Sequence, residues 1–182
     1  MKIYNFREIN QDIKTAFRTK NFMSYKYGKH ALLSYNQYLK VPELINLQET
    51  LSEPTSHDEL LFIIIHQTYE LWFKQILHEV DACLGWMKEG RMFRANHSLK
   101  AVTAIEKVIV SQIHILETMA QIGFLEFRDK LNPASGFQSM QFRELEFVSG
   151  AKSEHILKTF ERDEFAFQKL TERFNAPSLP DE

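Results

Sequence analysis

An all-α fold is predicted for this chain of 182 residues: a helical bundle framed by two long antiparallel helices, with an N-terminal arm. Three observations predict it. Residues 58 to 87 run without proline and open on a helix start signal. Residues 94 to 121 repeat apolar side chains at three- and four-residue intervals, and no segment shows sustained strand alternation. The length suits one domain, spanning 1–182, with a sizeable core.

Taken in order, residues 1–30 are mixed, with a weak amphipathic pattern in EINQDIKTAFRTKNF, and read as an arm that needs a surface to lie on. Pro42 suits the first turn of a short helix through Leu51, with Leu44, Leu47 and Leu51 on one face, and Pro54 ends it. The long helix follows. Ser56 or Asp58 is expected to cap its first turn, and Asp58 and Glu59 favour the positive helix end. Its middle, LLFIIIHQTYELWF, is apolar nearly all round, which predicts burial on several sides. Gly90 supplies a turn or C-cap. In the second long helix Leu99, Val102, Ile105, Ile109, Ile113 and Leu116 form a core-facing stripe. After Gly123 come a short helix in FLEFRDKL, the polar turn NPASG, a helical segment from Phe137 to Phe147 closed by Gly150, and two shorter helices near 153–160 and 163–174.

Composition narrows the function classes. A net charge of −2 offers no polybasic surface for nucleic acid or acidic lipid. The start, MKIYNFREINQDIK, is too polar for a signal peptide, and the run LLFIII is far short of the roughly 20 residues a membrane span needs. The single cysteine, Cys83, excludes an internal disulfide and fits a reducing, cytoplasmic setting. HExxH, a cysteine pair, the Glu-x-x-His repeat and Gly-x-Ser-x-Gly do not occur, so neither a metal site built by this chain alone nor nucleophilic catalysis is expected.

His66 is the oddity, one histidine inside an apolar helical run. It serves either as a core residue bonded to a carbonyl or to Glu70 one turn on, or as a directed hydrogen bond to a ligand in a dry pocket. Phe62 lies one turn before it, and the pair suits a flat aromatic ligand with one N–H. The second informative stretch, FRDKLNPASGFQSMQFRELE, reads as a helix corner turned by Pro133 and Gly136, or as part of a site. On the second reading Arg128, walled by Phe124, Phe127 and Leu131, forks onto a carboxylate, while Ser135 and Gly136 present a hydroxyl and close backbone.

The runs YNQYL, LSEP followed by HDELLFIIIHQTYELWFKQILHE, and FRDKLNPASGFQSMQFR resemble the tryptophan 2,3-dioxygenase family, and the likeness continues through GAKSEHILKTF to APSL. The resemblance implies a homotetrameric enzyme that uses haem b and O₂ to open the indole C2–C3 bond of L-tryptophan, giving N-formylkynurenine, the first step of tryptophan catabolism. It implies that His66 meets the indole N–H and that Phe62, Ile63, Ile64 and Ile65 line the substrate beside it. Arg128 would grip the carboxylate, flanked by Phe124 and Leu131, and Tyr35 and Tyr38 would close the pocket of a neighbouring subunit. Ser135 and Gly136 would lie near the haem edge. In that family the chain continues past APSL, and the proximal histidine that binds the haem iron stands in that further part; no histidine of this sequence matches it. The expectation is a truncated form of the enzyme. The alternatives are a non-catalytic helical assembly module and one half of a split enzyme.

Overall fold

The computed structural model describes residues Ser34–Glu182, which among themselves form helices and no strand. Two compact units divide the chain, Met1–Leu47 and Gln48–Glu182. The arm at 1–30 lies outside the described residues.

In the first unit, α1 (Tyr35–Leu39) and α2 (Val41–Leu44) are joined by Lys40 in the left-handed region at φ 52°. Ser34 starts α1 with a reciprocal cap: its hydroxyl accepts from the Gln37 amide, and the Gln37 side chain accepts from the Ser34 amide at 2.9 Å. Pro42 stands in the first turn of α2 as expected, but the helix stops at Leu44 instead of running to Leu51. Three hydrogen bonds explain this. The Asn46 side chain donates to the Pro42 carbonyl at 2.6 Å, closing the helix end, and the amides of Leu51 and Ser52 go to the Glu59 carboxylate. Leu44, Leu47 and Leu51 are consequently exposed.

The second unit is framed by α3 (Glu59–Lys88) and α4 (Met92–Leu116), packed side by side and antiparallel as predicted. Gly90 makes the reversal at φ +69°, where a side chain is disfavoured, and the Arg91 amide reaches back to the Trp86 carbonyl at 2.8 Å. The guanidinium groups of Arg91 and Arg94 sit 5.4 and 4.9 Å from the Trp86 ring centre, pinning the turn against the end of α3. Then come α5 (Gln121–Arg128), α6 (Met140–Val148), α7 (Glu154–Thr159) and α8 (Glu164–Asn175). Ser139, Ser153 and Asp163 cap the last three with side-chain oxygens. Gly150, at φ +97°, closes α6.

Two apolar clusters hold this unit. One joins Ile76, Leu77, Val80 and Leu84 of α3 to Val102 of α4 and Val148 of α6; the other gathers Phe147, Phe160, Ala166 and Leu170. Each large side chain removed from water in this way contributes about 1.5–3 kcal/mol. The predicted stripe of α4 is only partly covered: Val102 is buried and Ile105 and Ile109 pack on the core, while Leu99 and Ile113 are exposed. The apolar middle of α3 is likewise not buried all round. Leu60, Ile64 and Leu71 share one exposed side, because α4, α5 and α6 cover the others. Among the described residues, no single helix is long and apolar enough to cross a membrane.

Candidate functional site

α3 builds the site wall. A step of four residues returns to the same helix face, so Phe62 and His66 meet, with ring centroids 4.1 Å apart. Tyr69 and Phe73 continue that face, the tyrosine ring standing edge-on to His66 and stacking on Phe73. His66 Nδ1 lies 2.7 Å from the Phe62 carbonyl oxygen. A carbonyl only accepts, so Nδ1 carries the proton and, in the neutral ring, Nε2 carries the lone pair. The core-type bond of His66 to a carbonyl is thus present, and it uses one of the two ring nitrogens.

A cavity of about 340 Å³ opens against this face, lined by His66, Tyr69, Glu70 and Phe73 from α3, by Ser135, Gly136 and Phe137 from the following loop, and by Ser139 and Phe142. The loop is held by its own bonds. The Ser135 hydroxyl accepts from the Phe137 amide, and Arg143 donates through Nε and Nη2 to the Phe137 carbonyl at 3.2 and 3.1 Å. On the far wall Gln141 donates to the Glu70 carboxylate at 2.8 Å and to the Glu70 carbonyl at 2.9 Å, tying α6 to α3. The Tyr69 hydroxyl is buried without a hydrogen-bond partner among the described residues, and burial pushes its pKa up, so it stays a neutral phenol.

At one end of this wall an aromatic corner closes the site. The Phe62 ring lies 5.8 Å from Phe124 and 5.4 Å from Phe127, and the two α5 rings stand perpendicular at 5.4 Å. α5 reaches α3 through Gly123, which is buried: a Cβ there would fall on the Asp58 carboxylate, and the Ser56 hydroxyl donates to the Gly123 carbonyl at 3.4 Å. The predicted cap of α3 by Ser56 or Asp58 is therefore not what forms, since both side chains turn toward α5. Glu59, buried, folds back in their place. Its carboxylate accepts from the Leu51 amide at 2.6 Å, the Ser52 amide at 3.1 Å and the Ser52 hydroxyl, and that hydroxyl oxygen accepts from the Ser56 amide at 2.8 Å.

The structure brings His66, Ser135 and Gly136 to one cavity and sets Phe62 and Phe124 in ring contact beside it. Ile63, Ile64 and Ile65 do not line the cavity: successive residues turn by about 100° on a helix, so Ile65 goes inward to burial and Ile64 is exposed. The apolar setting expected of Arg128 is not what the structure has. Phe127 faces inward, fully buried, and the next step round the helix leaves Arg128 exposed, off the cavity lining, with Leu131 half-buried. Tyr35 and Tyr38 lie on α1 in the first unit, both exposed. Sequence reasoning missed Tyr69, Phe73 and Phe142 as lining residues. For the first two the signal was present, since they stand three and seven residues after His66.

A family model described as tryptophan 2,3-dioxygenase matches residues 23–178. Curated relatives of the same name agree: one from Nocardioides sp. is 52% identical over 88% of this chain and 62% of its own length. Another, from Herpetosiphon aurantiacus, is 49% identical over 82% and 57%, and one from Aedes aegypti is 40% identical over 86% and 44%. The chain thus spans about half the length of the relatives it matches. The matched region takes in the whole wall from Phe62 to Phe142, and this chain belongs to the tryptophan 2,3-dioxygenase family.

Proposed function

We propose that this chain supplies the tryptophan-facing wall of a haem-dependent dioxygenase, in which both atoms of O₂ enter across the indole C2–C3 bond of L-tryptophan to give N-formylkynurenine. One observation carries the reading: the Nδ1–H of His66 is committed to the Phe62 carbonyl, which leaves Nε2 as an acceptor on the cavity side of α3. An indole N–H is the donor that such an acceptor, between aromatic rings, suits best. The Phe62 ring beside it offers a face to the indole, and Phe124 closes the edge. Arg128, at the end of the same corner, is the group for the substrate carboxylate; its exposure leaves the guanidinium free to swing onto the ligand.

The residues present fit a flat macrocycle with polar edges. Phe73, Phe137 and Phe142 supply apolar walls, and the Ser135 hydroxyl with the Gly136 backbone supplies a polar rim. Those five residues would line one side of haem b, without supplying its axial ligand; when bound, the haem provides the redox centre that activates O₂. The protein's part is to bind and orient tryptophan, to exclude water with the Phe62, Phe124 and Phe127 rings, and to keep the indole proton hydrogen-bonded at His66 Nε2. The free, buried thiol of Cys83 supports a cytoplasmic setting. The exposed apolar side of α3 at Leu60, Ile64 and Leu71 supports a homo-oligomer, up to the family tetramer, and static light scattering showing a monomer would remove that part of the reading.

Calorimetric titration of the haem-supplemented chain with L-tryptophan and with its indole N-methyl derivative tests the central assignment. Loss of one hydrogen bond in a dry site predicts about 1–3 kcal/mol weaker binding of the methylated ligand, a gap that His66→Ala abolishes. Equal affinities for the two ligands in the unaltered chain overturn it.

A further inference from the structure

Glu59 is a buried ionisable group that the proposed chemistry does not use, and its bonds lead outward to the site. The carboxylate gathers the Leu51 amide and the Ser52 amide and hydroxyl; Ser52 Oγ takes the Ser56 amide; the Ser56 hydroxyl holds the Gly123 carbonyl of α5. Next along α5 from Gly123 stand Phe124, Phe127 and Arg128. Ser52, Ser56 and Glu59 are each at most 5% exposed, so water does not substitute for a lost partner.

We propose that Glu59 is a positioning residue for the ligand site, acting through Ser52 and Ser56 to fix α5 so that its aromatic rings stand against Phe62. The inference rests on the tryptophan reading for what the corner binds, but not for the linkage itself. Three features make the linkage specific. Glu59 lies one turn before Phe62 on α3, so the same helix turn anchors both the latch and the ring it serves. Among the described hydrogen bonds of this chain of contacts, that of the Ser56 hydroxyl makes the step to α5. The approach at Gly123 is so close that a displaced Asp58 meets α5 directly. Burial pushes the Glu59 carboxyl up, yet the Leu51 amide and the Ser52 hydroxyl and amide outweigh it and hold the group below its ordinary value, which keeps the acceptor ionised at neutral pH.

Hydrogen exchange followed by mass spectrometry on the full chain tests this in the unaltered protein, Glu59→Gln, Ser56→Ala and Ser56→Thr. Glu59→Gln and Ser56→Ala are expected to speed exchange of the 121–128 amides about tenfold or more, with α6 and α8 unchanged and Ser56→Thr like the unaltered chain. Unchanged exchange at 121–128, or equal acceleration throughout, overturns the proposal; should Glu59→Gln not fold, Ser56→Ala decides alone. In parallel, the affinity ratio of L-tryptophan to tryptamine is expected to fall about tenfold in Ser56→Ala, toward its value in Arg128→Ala. An unaltered chain with no preference between these ligands sinks the tryptophan reading while the exchange result still judges the linkage.

Discussion

Arg173→Leu is expected to cost about 3 kcal/mol at neutral pH, and most of that cost should come from a residue it touches only once. Arg173 forks onto Asp81 with Nη1 and Nη2 at 2.5 and 2.9 Å, and its Nε stands 3.5 Å from Glu144. The Asp81 side chain is 49% exposed, so losing that half of the clamp exchanges it for water and is worth about 0–1 kcal/mol. The Glu144 side chain is 12% exposed, and a buried charge left without its partner costs about 3–5 kcal/mol. The lower end applies because Lys169 still acts on Glu144. The pH dependence follows from sign. Burial already raises the Glu144 pKa above 4.5 against the pull of Arg173, and the variant raises it further. A carboxyl with a raised folded value adds stability fully below the unfolded value and loses it as pH rises through the folded one. The deficit should therefore be large near neutral pH and shrink toward about pH 4.5, the ordinary carboxyl value. Urea unfolding midpoints at the two pH values measure it, and adding Glu144→Gln should restore most of the loss near neutrality. Equal deficits at both pH values, or no rescue, refute the reasoning.

Phe127→Ala removes a fully buried ring that meets both Phe62 and Phe124, and should lower stability by about 3–5 kcal/mol in chemical denaturation. The Glu59 carboxyl is depressed in the fold, so its contribution is present above its unfolded value and is lost as pH falls through the folded one. Thermal unfolding of Glu59→Gln should consequently show a shallower acid limb than the unaltered chain, and identical limbs would count against an ionised Glu59.

How much of this was legible in the sequence depends on the range of the interactions. The two long helices and the turn at Gly90 rest on local pattern, and the residues that made them visible are the residues that make them form. His66 was legible because a polar ring in an apolar run is conspicuous, and Ser135 with Gly136 because loop hydroxyls beside glycine are. Glu59 was read as an acid favouring a positive helix end. Its actual work is to accept amides from a segment that folds back on it, and nothing in the local pattern at Glu59 encodes that fold-back. Arg128 shows the opposite error: Phe127 beside it in sequence is buried, and the next step round the helix puts Arg128 at the surface. Phe73 and Phe142 meet ring to ring across α3 and α6, a pairing that depends on how two helices distant in sequence dock.

The bond from His66 Nδ1 to the Phe62 carbonyl has an entropic consequence. Its acceptor belongs to the helix that carries the ring, so the imidazole orientation is set before any ligand arrives and does not wait on a mobile loop. On the tryptophan reading proposed above, an indole need not freeze that rotamer, which spares about 0.5–1.5 kcal/mol of the ordering cost usual for a side chain at a binding surface. On that reading, ligand selection at this wall is a property of helix geometry, set by the turn from Phe62 to His66.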